Sequence, residues 1–214
     1  YYFGRGLSDL AFFDKLSEQF EEVFLIPGNH EYYAGHDITE CLLPMDNHLR
    51  ENVRMVNNLT VERGDVRFIF TTLWSKVVKR PADVRLGMSD FYKINYGGRI
   101  ITIGQYNHLH DYALSFLEKE MAKPWDGKTV VVTHHLPSVH CNAPEFVGSK
   151  INEGFCVDLT DKITDWDIDY WIYGHSHRNV PEFEINGTRM LTNQLGYVSS
   201  REHIHFDRAR TIVV

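Results

Sequence analysis

Imidazoles and a carboxamide recur in this chain at three places, each just past a short apolar run. Val23-Phe24-Leu25-Ile26 leads into Pro27-Gly28-Asn29-His30-Glu31. Thr129-Val130-Val131-Val132 leads into Thr133-His134-His135-Leu136-Pro137, and Tyr170-Trp171-Ile172-Tyr173 leads into Gly174-His175-Ser176-His177. If the apolar runs are strands of an α/β sheet, the side chains that follow collect just beyond the strand carboxyl ends, where such sheets bind ligands. Imidazole nitrogen and amide oxygen are donors that zinc, manganese, iron or cobalt accept, and none of the three places contains a thiolate. Gly28 and Gly174 stand where a sharp backbone turn would direct the next side chain inward. His175 and His177, two apart on extended chain, would project to one side.

Each piece alone says little. A single histidine at a strand end is more often a hydrogen-bonded core or surface residue, and Gly-Asn-His by itself is an ordinary turn, because Asn tolerates left-handed backbone. Two other pairs share the spacing of His175 and His177. His108/His110 begins a helical stretch, where such positions diverge, and His203/His205 follows no small-residue turn. The ordered combination of three places is what points to metal. Spacing removes the competing motifs. The metalloprotease pattern H-E-x-x-H fails because the histidine after His30-Glu31 is His36, not residue 34. The nucleophile elbow G-x-S-x-G fails because Gly174-His175-Ser176-His177 continues with Arg178. Asn179 and Val180 break a metallo-β-lactamase pattern, and no G-x-x-x-x-G-K exists for a phosphate loop.

The elements that must position these groups are partly legible. Residues 23–26, 53–56, 66–73, 100–103, 129–132, 170–173 and 190–192 are short β-rich apolar runs. Between them, Ser8 is expected to cap a helix over 9–21 with Leu10, Phe13, Leu16 and Phe20 on one stripe. A second helix is expected over 38–50, with an irregularity at Pro44, and a third over 109–122 on Ala113, Leu114, Leu117 and Met121. Strands alternating with helices predict an α/β fold. The two runs around Arg63-Gly64-Asp65, from Asn57 to Phe70, predict an added hairpin and so a mixed sheet.

Composition sets the limits. The chain has 214 residues, 43% hydrophobic and 24% charged, which excludes a disordered, collagen-like or coiled-coil protein and predicts one domain over 1–214. No apolar run approaches the roughly 18 residues of a spanning helix. Twenty-two Lys and Arg against 29 Asp and Glu give a net charge of −7, and no basic stripe exceeds residues 76–80, so no nucleic-acid surface is expected. Cys41, Cys141 and Cys156 are odd in number and lack a C-x-x-C pair. That pattern predicts a reducing, cytoplasmic setting. The chain opens at Tyr1, not at a methionine, which leaves room for a targeting segment upstream.

Gly28-Asn29-His30-Glu31, Val131-Val132-Thr133-His134-His135 and Gly174-His175-Ser176-His177, in this order and with Thr72-Leu73-Trp74 between the first two, resemble motifs of the calcineurin-like metallophosphoesterases. The resemblance runs from residue 23 to about 180. It implies an α/β fold of two mixed β-sheets packed as a sandwich and flanked by helices, with a dinuclear metal centre at the sandwich edge that hydrolyses phosphoester bonds. It further implies Asn29, His134 and His175 as ligands of one metal, with His135 the neighbouring alternative to His134. His177 becomes a ligand of the other metal, and His30 the group that protonates the leaving oxygen or holds the phosphoryl oxygen. The implied cofactors are two divalent ions of Mn, Fe or Zn. A hydroxide held between ions about 3.5–4 Å apart would attack phosphorus in line.

The family's Asp-x-His and Gly-Asp motifs should precede Asn29. Gly4-Arg5-Gly6 and Ser8-Asp9-Leu10 do not match them, and Gly64-Asp65 comes too late. The chain is therefore expected to lack an N-terminal segment with a strand or two and the bridging Asp, and by itself to bind one ion at most. A small phosphorylated molecule is the expected substrate, with monoester, cyclic nucleotide, nucleotide diphosphate and phosphoprotein all open. Tyr32, Tyr33, His36, Trp74, Asn142 and Arg178 either line the pocket or pack elsewhere, and Arg99 and Arg178 either hold phosphate or sit in solvent. The competing reading is a catalytically inactive scaffold that keeps the fold and binds one metal or none.

Overall fold

The computed structural model describes residues 10–33 and 36–214. Ser8 and its expected cap lie outside the described residues. The first elements are α1 (Ala11–Gln19) and β1 (Val23–Leu25). Four strands then follow closely: β2 (Met45–Arg50), β3 (Val53–Asn57), β4 (Leu59–Arg63) and β5 (Val66–Thr71). Two short helices, α2 (Pro81–Gly87) and α3 (Asp90–Lys93), and a ribbon of β6 (Asn95–Tyr96) with β7 (Arg99–Ile100) lead to the long α4 (Ile103–Met121). The remainder comprises β8 (Lys128–Thr133), α5 (Thr160–Asp165), β9 (Tyr170–Ile172), β10 (Phe183–Ile185) and β11 (Thr188–Leu191).

The strands form two mixed sheets. One has three strands in the order β1-β3-β2, β1 parallel and β2 antiparallel to β3. The other has six, β10-β11-β9-β8-β5-β4, with a parallel centre and an antiparallel strand at each edge. Burial explains the layering. Val130 and Val131 of the central β8 are fully buried, as a parallel strand covered on both faces requires. On one face Val131, Ile69 and Trp171 pack with Leu117 of α4 and Ile163 of α5. On the other, Val61 and Phe70 meet Val56 of β3, joined by Phe24 of β1, and this cluster holds the two sheets together. Across the smaller sheet, Asn52 between β2 and β3 donates to the Ser17 and Phe20 carbonyls at 2.9 and 2.7 Å, fastening α1. The result is a helix-flanked, two-sheet sandwich. Among the described residues no helix is long and apolar enough to cross a membrane.

Three expectations change. The helix over 38–50 is a single 3-10 turn, Ile38–Leu42, followed by β2. Pro44 forbids continuation, since it lacks an N–H and forces Leu43 to extended angles (φ −124°, ψ 150°). The chain beyond it then pairs antiparallel with β3 from Met45 opposite Asn57 onward. The third helix starts at Ile103 rather than 109, so of the run 100–103 only Ile100 lies in a strand, the end of β7, and His108 and His110 lie in mid-helix. Thr102 and Gln105 form the capping box that starts it: the Thr102 N–H donates to Gln105 Oε1 at 2.9 Å, and the Gln105 N–H donates to Thr102 Oγ1 at 3.3 Å. The first helix is shorter, and of its stripe only Phe13 is buried. The hairpin around Gly64 forms as expected, Leu59 facing Phe70 and Arg63 facing Val66.

Candidate metal centre

β1, β8 and β9 run so that the loops after them meet at one edge of the sandwich. Thr72, just past β5, stitches two of these loops. Its hydroxyl donates to the Pro27 carbonyl at 2.8 Å, and its own carbonyl accepts the His134 and His135 N–H groups at 3.3 and 3.2 Å. The third loop joins when the Gly174 N–H donates to the His134 carbonyl at 3.1 Å. Within the first loop, Glu31 accepts the Gly28 N–H at 2.7 Å and closes a 3-10 turn over Asn29–Tyr32.

This stitching brings three uncharged donor groups together. Asn29 Oδ1 lies 3.1 Å from His134 Nε2, and His134 Nε2 lies 2.9 Å from His175 Nδ1. No single hydrogen atom serves all three. The Asn29 amide is oriented from behind, its Nδ2 donating to Asp90 Oδ1 at 2.8 Å, while the Tyr33 hydroxyl donates to the same oxygen at 2.5 Å. That bond turns Asn29 Oδ1 toward the imidazoles. Asp90 is 1% exposed and its Oδ2 has no partner among the described residues; burial raises its pKa, against the hydrogen bonds from Tyr33 and Asn29. Burial, reinforced by neighbouring imidazoles, holds both His134 and His175 well below the usual histidine range. Both rings are therefore neutral and keep a lone pair, the form a metal binds. His175 Nε2 is buried and has no partner among the described residues.

Gly28 has a packing role. Its φ of −92° suits any residue, but a Cβ there would sit 2.5 Å from His134 Cε1. The turn-forming role expected of Gly28 and Gly174 falls instead to His175 and His177, which adopt left-handed backbone with φ of 71° and 55°. Non-glycine residues in that region are strained, and such strain concentrates at functional sites. It also overturns the expectation that the two rings project side by side.

His177 lies apart from the cluster. Its Nδ1 bonds Glu202 Oε2 at 3.0 Å, its N–H donates to Gln194 Oε1 at 2.7 Å, and its ring centroid is 4.6 Å from that of Tyr197. Burial works against the Glu202 charge, but the Tyr197 N–H, His177 and Arg178 hold its pKa below the ordinary value. His30 faces His177 at 6.4 Å and Tyr197 at 6.1 Å between centroids, and burial, then His177, lower its pKa to about 4. His135, fully buried, packs its ring on His175 at 4.1 Å between centroids but directs its nitrogens elsewhere, Nδ1 3.3 Å from the Thr72 carbonyl and Nε2 3.2 Å from the Tyr106 hydroxyl, and burial lowers its pKa to about 3.

Asn29, His30, Tyr33, Asp90, His175, His177 and Tyr197 border one cavity of about 230 Å³. Of the expected pocket residues, Tyr32 and Trp74 are core, Arg178 is engaged by Glu145 and Glu202, and His36 and Arg99 do not line this cavity. Asp90, Gln194, Tyr197 and Glu202 escaped the sequence reading. Asp90 lies 61 residues from Asn29 and Glu202 lies 25 from His177, beyond any local pattern. The one local sign was Gly196, whose φ of 60° disfavours a side chain and where an added Cβ would stand 2.6 Å from the Cβ of Glu202.

The cluster's donors fit a divalent cation. Two neutral imidazoles and a carboxamide oxygen converge, and all three atoms carry lone pairs that a cation accepts. The set is uncharged, and among the described residues no group of three or more His, Cys, Asp or Glu side chains is arranged to hold a metal.

Comparison with known proteins bears on family and fold. The sequence profile of the calcineurin-like phosphoesterases matches residues 2–179. An uncharacterized protein of Acanthamoeba polyphaga mimivirus is 32% identical over 216 residues, covering 91% of this chain and 75% of the relative. Among solved structures, phosphopantetheinyl hydrolase of Mycobacterium tuberculosis superposes with a TM-score of 0.62 at 16% identity, over 89% of this chain and 74% of that one, a likeness of fold.

Proposed function

This chain belongs to the calcineurin-like phosphoesterase family, and we propose that it hydrolyses phosphoester bonds of a small phosphorylated molecule with divalent cations at this site. The supporting observation is the convergence of Asn29 Oδ1, His134 Nε2 and His175 Nδ1. These three would hold one cation. A second cation would need ligands besides His177, whose Nδ1 is fixed by Glu202 so that Nε2 is left for a metal, the carboxylate–histidine arrangement that orients metal ligands. When bound, the cations supply Lewis-acid polarisation of the phosphoryl oxygens and an activated water.

The other steps belong to the chain's own residues. His30 borders the same cavity as His175 and His177, so a phosphoryl group there lies beside its ring. The free ring is neutral at pH 7, with a pKa of about 4. A phosphoryl anion offsets that lowering, because an adjacent negative charge favours imidazolium. His30 then holds a proton at the leaving oxygen and transfers it as that oxygen departs, a contribution of roughly 10²–10⁴-fold. Asp90 keeps the Asn29 oxygen directed into the site throughout.

Titration with Mn²⁺ or Zn²⁺ tests the assignment. His134→Ala and His175→Ala are expected to weaken binding more than the roughly 10–100-fold typical of groups that only support a ligand, and more than His135→Ala does. Equal loss from His135→Ala would overturn the ligand set. A wild-type chain that binds neither metal nor hydrolyses any phosphoester would favour the inactive scaffold.

A further inference from the structure

A second cavity, of about 160 Å³, adjoins the first and shares Phe155 and Ser176 with it. The Phe155 ring lies 4.7 Å from that of His175, so this cavity starts where the donor cluster ends. Its apolar walls are Phe146, Ile151 and Phe155, all half-buried. Its polar lining is Ser149, Ser176 and an amide pair, Asn142 Nδ2 donating to Asn152 Oδ1 at 2.8 Å. That bond leaves the Asn142 carbonyl and the Asn152 amide nitrogen with no other partner among the described residues. No Lys or Arg lines the cavity. The guanidinium beside Phe146, that of Arg178, is already shared between Glu145 at 2.9 Å and Glu202 at 3.4 Å.

We propose that this cavity is the leaving-group subsite of the phosphoesterase, and that it takes an uncharged, partly apolar group of about one six-membered ring with an amide-like hydrogen-bonding edge. The inference rests on the phosphoester reading above. Size follows from volume, since a cavity of about 150 Å³ walled by Leu, Ile and Phe accommodates benzene. Charge follows from the lining. A second phosphate or an acidic peptide would lose its hydration there and gain no cationic partner, a cost no neutral ring incurs. The polar edge follows from the two asparagines, which keep one acceptor and one donor between them, the complement of a primary or secondary amide. Polyphosphorylated nucleotides and acidic phosphoproteins are thereby disfavoured as substrates.

Benzamide is the probe, titrated into the full chain without added metal and followed by NMR. It is expected to give contacts to the Ile151 methyls and the Phe155 ring. Ile151→Trp, which fills the cavity, is expected to weaken benzamide by about tenfold or more, the usual value of a lost hydrophobic subsite. Asn152→Leu keeps the volume and removes the polar edge, so it should weaken benzamide while toluene binds as before. Contacts elsewhere on the protein, or wild-type affinity for benzamide in both variants, would overturn the subsite. A hydrolysis series separates this from the parent reading. In Ile151→Trp the kcat/KM ratio of phenyl phosphate to methyl phosphate should fall by about tenfold. Hydrolysis with an unchanged ratio defeats the subsite and leaves the phosphoesterase standing. Benzamide bound in the cavity without hydrolysis of any phosphoester defeats the phosphoesterase reading and with it the leaving-group role, and leaves only a binding site for a neutral ring.

Discussion

Gly28→Ala should damage the metal centre through sterics alone. The backbone tolerates alanine, because φ −92° and ψ −174° lie in the extended region. The obstacle is His134. A Cβ at position 28 would stand 2.5 Å from its Cε1, 2.8 Å from Nε2 and 2.9 Å from Nδ1. Ordinary contact begins near 3.4 Å, so the ring or the loop must retreat by about 0.9 Å. Neither can do so freely, since His134 is tied to Thr72 and Gly174 through its backbone and faces Asn29 and His175 with its ring. A displacement of about 1 Å at a reacting group costs roughly 100-fold. The expected outcome is therefore a roughly 100-fold loss in kcat/KM with weakened cation binding. Overpacking should also cost about 1–3 kcal/mol, lowering Tm by about 2–4 °C for each kcal/mol in a chain of this size. Gly174→Ala is the control. Its Cβ would meet only the His134 carbonyl at 3.5 Å, an ordinary contact, so cation binding should persist. Calorimetric Mn²⁺ titration of the two variants, with thermal melts alongside, decides the matter. Wild-type cation affinity in Gly28→Ala, or equal losses in both, would refute the packing account.

Asp90→Ala should free the Asn29 amide and lower cation affinity by roughly 10–100-fold, the range for residues that orient a ligand without touching the metal; a titration indistinguishable from wild type would show that Asn29 needs no such anchor. Stability should fall with acidity. His135 lies near 3, and His134 and His175 well below their ordinary 6.5. Between these values the unfolded state binds more protons, so the stabilisation is complete above about pH 6.5 and declines as pH falls toward 3. Urea unfolding in chelator at about pH 7.5 and about pH 5 should show the drop, and His135→Asn should reduce it. A flat profile would mean that these rings are not kept neutral by burial.

The features readable from sequence are those encoded within a few residues. Each apolar run followed by its turn is local, so β1, β8 and β9 and the residues just past them could be placed before any contact was known. The β4–β5 hairpin is local too, because strand pairing across a short turn is set by the residues around it. Where tertiary pairing competes with local pattern, reading the sequence alone misled. Met45–Arg50 has enough helical character to suggest continuation past Ile38–Leu42, but Pro44 breaks the turn and β3 offers an edge to pair with.

What only the folded chain decides is which of these histidines meet. The sequence by itself determined that Asn29, His134 and His175 each stand just past the carboxyl end of a strand, because each follows an apolar run. It could not separate His134 from His135 by partner, since that choice depends on Thr72 and Tyr106, far away in the chain. Nor could it show that His177 leans on Glu202, that Asp90 turns the Asn29 amide, or that Gly28 matters for space rather than for turning. All of these are contacts between loops carried by different strands. Their geometry is set by how the two sheets pack, through Val56, Val61 and Phe70, and no local pattern records it.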